Sequence, residues 1–270
     1  MVKKLLKHEL ISYLHTLPIV YIVLFGISLM GRFIRAFENE SVTYEMLNGS
    51  ASAMLVIACF AATTLTTIFC LIRFYKNLFS GEGYLTLTLP VSVENHLFVK
   101  TLGAMIAYVA TAFAVALAVC AFFAGDWIEE IIKALLYLYK YISMSYGTAN
   151  MLLYVGEILL LMLAMILAQL STFYMCICIG QSLRRGRIIA AVGIYYGLTL
   201  LMQGIGTALL IARTFLEDSQ FIINLHRWII QNKPAFVHLI LCGIIVLGVL
   251  WSGICFLVSR AMIKKRLNLE

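Results

Sequence analysis

Six long apolar runs divide the chain, and the polar segments between them are short. The runs cover about residues 17–31 (continuing toward residue 37), 51–72, 97–125, 151–179, 188–212 and 235–258. A helix needs roughly 20 apolar residues to cross a hydrocarbon core about 30 Å thick. A membrane barrel would instead show segments of about 10 residues with alternating polarity, and none is evident. The pattern therefore predicts an all-α polytopic membrane protein, one transmembrane domain over residues 1–270 with six transmembrane helices.

Between the runs lie segments of different character. Residues 1–15 form a basic amphipathic lead, in which Leu5, Leu6, Ile11 and Leu14 alternate with Lys3, Lys4, Lys7 and His8 in a loosely helical period. Such a segment is expected to lie on an anionic membrane surface, with His8 and His15 as interface residues. Pro18 falls at the start of the first run, where the first helical turn has free amide positions and tolerates it. Arg32 and Arg35 follow that run in place of a small-residue cleavage site, so a cleavable signal peptide is not expected. Residues 38–50 read as a polar connector. Residues 126–147 read as an extracellular interfacial segment, with Trp127, Tyr137, Tyr139 and Tyr141 as anchors at the membrane boundary. Residues 213–233 are half polar and are expected to dip into the membrane edge, a re-entrant or interfacial segment before the last span.

The most distinctive insert is residues 73–100, RFYKNLFSGEGYLTLTLPVSVENHLFVK. The spacing of Phe74 with Leu78 and of Tyr75 with Phe79 carries the second helix beyond its apolar run, because residues four apart share one helical face. Ser80-Gly81-Glu82-Gly83 then breaks it. The alternation of Leu85 to Leu89 is too short for a sheet, and Pro90 closes it. Ser92 is placed to cap the next helix, with Glu94 favourable in its first turn. Twenty-eight residues with apolar anchors exceed what a turn requires,.

Composition agrees with the class. Hydrophobic residues make up 63% of the 270, charged residues 12%, and the mean hydropathy is +0.97. Soluble globular domains are nearer half apolar and a quarter charged, and a chain of this size has too little interior to hide the difference. Orientation follows from charge. With both ends inside, 13 of the 20 Lys and Arg residues fall on inner segments, leaving a net +9 inside and −1 outside. Basic residues are retained on the cytoplasmic side, so both termini are expected there. The basic residues flank spans and form no single patch, which argues against nucleic acid as a partner. The seven cysteines all lie in apolar runs and read as small hydrophobes, not a disulfide framework.

Few residues carry candidate chemistry. Glu157 is the one carboxylate well inside a run, and an unpaired charge there costs at least about 3 kcal/mol. It is expected to be paired, protonated, facing other protein or near water, with a structural pair, a substrate or gating role and proton coupling as its readings. Gln169 and Gln203 complete a possible intramembrane polar site, and interhelical hydrogen bonds are the simpler reading of both. The hydroxyls of Thr63, Thr64, Thr66 and Thr67 can bond back to helix carbonyls. Tyr195 and Tyr196 read as packing. Gly81-Glu82-Gly83 lacks the Gly-Lys-Ser/Thr that wraps phosphate. The histidines are dispersed and no HExxH or aspartate pair occurs, so neither a metal site nor a catalytic residue is expected.

Taken together, the basic lead, six spans, the words Arg73-Phe74-Tyr75-Lys76-Asn77-Leu78-Phe79 and Gly83-Tyr84-Leu85-Thr86-Leu87-Thr88-Leu89-Pro90, and the segment before the last span resemble the standalone permease subunit of bacterial ABC-2 type exporters. The resemblance covers essentially the whole chain. It implies a bacterial cell-membrane protein that pairs with a second permease chain, identical or homologous, and with separate ATP-binding cassette ATPase subunits. ATP and Mg would sit on that partner, with no cofactor and no enzymatic activity in this chain. It also implies that the first inner loop seats in the ATPase. Arg73, Tyr75, Lys76, Phe79, Glu82 and Tyr84 are then the coupling residues, supported by the lead, and residues 215–233 match the family's extracellular hairpin. The apolar runs favour an amphipathic peptide, lipid-like compound or hydrophobic drug as cargo. The alternative is a secondary carrier or a membrane sensory or assembly protein, which would need inverted repeats with broken helices or a receptor-like domain.

Overall fold

The computed structural model describes residues 2–37, 41–80, 92–124, 126–146, 148–183, 186–215 and 219–267. Among these, every regular element is a helix: α1 (Val2–Arg35), α2 (Val42–Phe79), α3 (Val93–Phe122), α4 (Asp126–Tyr146), α5 (Thr148–Gln181), α6 (Arg187–Phe215), α7 (Gln220–Gln231) and α8 (Lys233–Leu267). Six of them, all but α4 and α7, are long and apolar enough to cross a membrane. The chain is an all-α polytopic membrane protein. Its residues fall into two compact units, Met1–Tyr141 and Ile142–Glu270.

Two boundaries differ from the sequence reading, each for a local reason. The lead and the first span are one helix, so Pro18 lies in a helix interior and not in a first turn. Its missing amide is tolerated because contacts with α3 run along the helix on both sides of it, from Glu9 to Gly31. The second helix starts at Val42, inside the expected connector 38–50, because Ser41 caps it by accepting from the Tyr44 amide at 3.3 Å. Arg35 then donates to the Asn48 side chain at 3.1 Å, tying the end of α1 to this added length. Farther on, Ser92 caps α3 as its position suggests, accepting from the Asn95 amide.

In the first unit α1 touches both neighbours, antiparallel to α2 and parallel to α3. Tyr13 meets Phe69, Leu24 meets Ala62 and Arg35 meets Asn48 along α2. Along α3, Glu9 meets Lys100, the Tyr21 hydroxyl lies 2.8 Å from that of Thr111, and Ser28 donates to the Ala118 carbonyl. Thr66 joins this chain, 3.0 Å from Thr111, and Tyr108 donates to Thr67 at 2.7 Å. Thr63 and Thr64 bond back to the Phe60 carbonyl and stay exposed. Bonds of this kind between membrane helices contribute about 0.6–2 kcal/mol each. At the far end Arg35 lies over the Phe122 and Phe123 rings, 4.6 and 4.5 Å from their centroids. The Phe122 ring fills the space where Gly31 has no side chain.

In the second unit α5 plays the same part, parallel to α8 and antiparallel to α6. Met175 and Cys176 of α5 pack with Cys255 of α8, and Trp251 donates to Thr172 at 2.9 Å. The turn into α6 passes through Gly186 at φ +67, a left-handed conformation that side chains disfavour,. Just before it, Gly180 lies so close to α6 that a Cβ would meet Ala191 at 2.7 Å. Contact continues through Ile194, Tyr195 and Leu198, and beyond them every residue of α6 from Leu200 to Phe215 is exposed. The expected segment 213–233 is accordingly shared between the end of α6 and the short helix α7, capped by Ser219. All seven cysteines are free thiols.

Replacing Gly31 by leucine should destabilise the first unit by about 1–3 kcal/mol, the usual cost of forcing extra methylenes into a packed contact. The same change at Gly26, which has open space around it, should cost far less. Detergent titration of helicity in the two variants checks the difference.

Candidate functional site

The densest charge chemistry sits at the N-terminal end of α1. Glu9 is 6% exposed, and its carboxylate accepts from Arg73 of α2 through Nε at 2.7 Å and a terminal nitrogen at 3.0 Å. Lys100 of α3 places Nζ 3.3 Å from both carboxylate oxygens. The third guanidinium nitrogen of Arg73 donates to Ser12, and the guanidinium carbon lies 5.4 Å from the Tyr13 ring centroid. Gly103 on α3 supplies the room, since a Cβ there would meet Glu9 Cγ at 2.9 Å. One carboxylate thus joins three helices at one level and holds two cations. The side chains of Glu9 and Lys100 are 8% and 6% exposed, so water screens the cluster little.

This cluster braces the start of the segment 73–100, at the end of α2. Among the described residues, Arg73 is the only one of the expected coupling residues inside it. Beyond Arg73, α2 continues for six residues, with Phe74 and Leu78 buried against the bundle. Phe79 lies 6.2 Å from the Phe74 ring and 6.4 Å from the Tyr75 ring, and Lys76 is exposed. Glu82 and Tyr84 lie outside the described residues. Glu9 and Lys100 were not among the expected site residues. The available signal was the wheel of the lead: Glu9 falls with Tyr13 on the face opposite Lys3, Lys4 and Lys7,.

The expected intramembrane site does not form as one cluster. Glu157 pairs with His238 of α8, whose Nδ1 is 2.8 Å from each carboxylate oxygen. The imidazole stacks on Tyr154 at 4.2 Å and 7°, and Tyr154 donates to the Pro234 carbonyl at 3.2 Å. The Cys242 thiol approaches Glu157 at 3.7 Å. Tyr154 and Glu157 are one turn apart on α5, as Pro234, His238 and Cys242 are on α8, so two polar stripes face each other. His238 Nε2 is buried and finds no hydrogen-bond partner among the described residues. Gln169, twelve residues along α5, instead donates to the Tyr195 hydroxyl at 2.9 Å, and Tyr195 stacks on Phe173. Gln203 is exposed on α6. Glu157 thus has a partner, as a carboxylate inside a run was expected to need.

Fold and site together define a polytopic membrane protein with a buried ion cluster at one end of its first three spans. Comparison with family models, with curated proteins and with solved structures gives no match.

Removing the carboxylate strands two cations, so Glu9→Leu should destabilise the first unit by about 3–5 kcal/mol. Adding Arg73→Leu and Lys100→Met to it should restore most of that loss, because apolar replacement of a whole buried cluster is often neutral or better. Unfolding titrations of the single and triple variants in the same detergent check both halves.

Proposed function

We propose that the chain is the transmembrane permease subunit of an ATP-driven exporter of ABC-2 type, working in a bacterial cell membrane with both termini cytoplasmic. It pairs with a second permease chain, and separate ATP-binding cassette subunits hold ATP and Mg. The observation that carries this reading is the braced base of the inner loop. A partner can drive a conformational change only by binding one state better than another, and the push must enter through something stiff. Here α2 extends past its apolar run to Phe79, and the bonds of Arg73 to Glu9, with Lys100 on the same carboxylate, fasten that extension to the first and third spans. A load on residues 76–84 would reach three helices together. Tyr75, Lys76 and Phe79, with Glu82 and Tyr84 beyond, offer aromatic and charged contacts suited to a protein partner.

The apolar runs, with little charge inside them, support an amphipathic peptide, a lipid-like compound or a hydrophobic drug as cargo. A secondary carrier is less well supported. Such carriers build midplane sites from discontinuous helices, whereas the six candidate spans here are each continuous.

Purification from the native membrane under mild detergent should bring down a soluble nucleotidase. Lys76→Glu should then lower nucleotide-dependent cargo movement at least about tenfold, a loss of about 1.4 kcal/mol or more in coupling, with membrane insertion unchanged. Cargo movement by the purified chain with no nucleotidase attached would end the reading.

A further inference from the structure

Glu157 and His238 hold α5 and α8 together near the N-terminal end of each helix. Glu157 lies nine residues past Thr148 and His238 five past Lys233, about 14 Å and about 8 Å along the two axes at 1.5 Å per residue,. His238 Nδ1 is 2.8 Å from each carboxylate oxygen, so one N–H is shared between two acceptors. A carboxyl group that kept its own proton would instead turn one bare oxygen against a bare nitrogen. The Cys242 thiol, 3.7 Å from Oε1, is a second donor to the same group. Glu157 is thus assigned as a carboxylate and Nδ1 as protonated, from the bonding.

The other ring nitrogen then decides the charge. Nε2 is buried and has no hydrogen-bond partner among the described residues. Without a proton on it, the pair carries one negative charge. Nothing close by balances that charge. Beside the pair stand Tyr154 of α5 and Cys242 of α8. Arg213 near the end of α6, His226 and Arg227 of α7 and Lys233 at the start of α8 are all exposed, and among the described residues none pairs with Glu157. With a proton on Nε2, the pair is neutral as a whole and leaves one N–H unsatisfied. A lone charge within an apolar span costs more than one stranded N–H.

We propose that Glu157 and His238 form a proton-binding site that latches the N-terminal ends of α5 and α8, closed with a proton on Nε2 and opened to water when that proton leaves. The ligand is a proton, since among the described residues no group of three His, Cys, Asp or Glu side chains could hold a metal ion. In the opening step imidazolium gives its Nε2 proton to water, no bond between heavy atoms changes, and the carboxylate left without a counter-charge is hydrated as the helices part. The closed form holds one proton more than the open form, so falling pH favours closure and rising pH favours opening. The latch stands on the membrane fold and is independent of the exporter reading.

Hydrogen exchange of the full chain in lipid nanodiscs at about pH 6 and about pH 9, on either side of the range where histidines in proteins commonly titrate, tests the latch. Protection, corrected for the pH dependence of the chemical exchange step, is read at residues 152–160 and 237–245, beyond the unpaired amides of each first turn. The wild type should lose protection there at least about tenfold at the higher pH, the factor one linked proton supplies per pH unit. Residues 175–179, packed against α6, should not change. His238→Arg, whose charge does not titrate, should stay protected at both pH values. Glu157→Gln removes the charge that needs balancing and should abolish the pH response even if it lowers protection throughout. Equal protection of the wild type at the two pH values, or an undiminished pH response in Glu157→Gln or His238→Arg, overturns the proposal.

Discussion

A single carboxylate that must satisfy two cations from two different helices sets the geometry of the first unit. Glu9 can accept from Arg73 and Lys100 together only if α1, α2 and α3 come level at that point, which fixes the register of all three. The rest of the contacts agree with that setting. The Tyr21, Thr66 and Thr111 hydroxyls meet midway, and Arg35, Asn48 and Phe122 meet at the other end. Apolar side chains alone would permit sliding by a turn, because one leucine or alanine stripe packs much like the next. A buried ion cluster does not slide, since any other register leaves a charge without its partner.

How much of this was legible in the sequence depended on range. The spans were readable because length and apolarity act locally. So was the extension of α2 to Phe79, which follows from residues one turn apart, and the Ser92 cap, which acts over three residues. The start of α2 at Val42 was not readable, because residues 42–50 are polar enough to pass for a connector and only their contact with Arg35 shows their place. Pro18 misled for a related reason. A proline beside a change from polar to apolar residues reads as a helix start, yet packing against α3 above and below it keeps one helix intact.

The polar sites show the same limit from another side. Glu157 declared itself as a residue in need of a partner, but nothing local pointed to His238, 81 residues away. Glu9 was harder still, since it sits among lysines in a segment whose net charge is positive. Its burial is written in the wheel, not in the composition. The proposed exporter role rests on the sequence of residues 73–100 and the order of segments, and Glu9, Arg73 and Lys100 bear on it only by joining the end of α2 to α1 and α3.

Close approach at Gly180 has its own consequence for the second unit. There α6 is pinned to α5 within a turn of its own beginning, and the grip fades after Leu198. Past Leu198 the helix runs on for about 26 Å to Phe215 at 1.5 Å per residue, and none of its residues from Leu200 onward is buried. Geometrically it is a long pointer on a short grip, and a tilt of about 5° at that grip would carry its tip about 2 Å sideways.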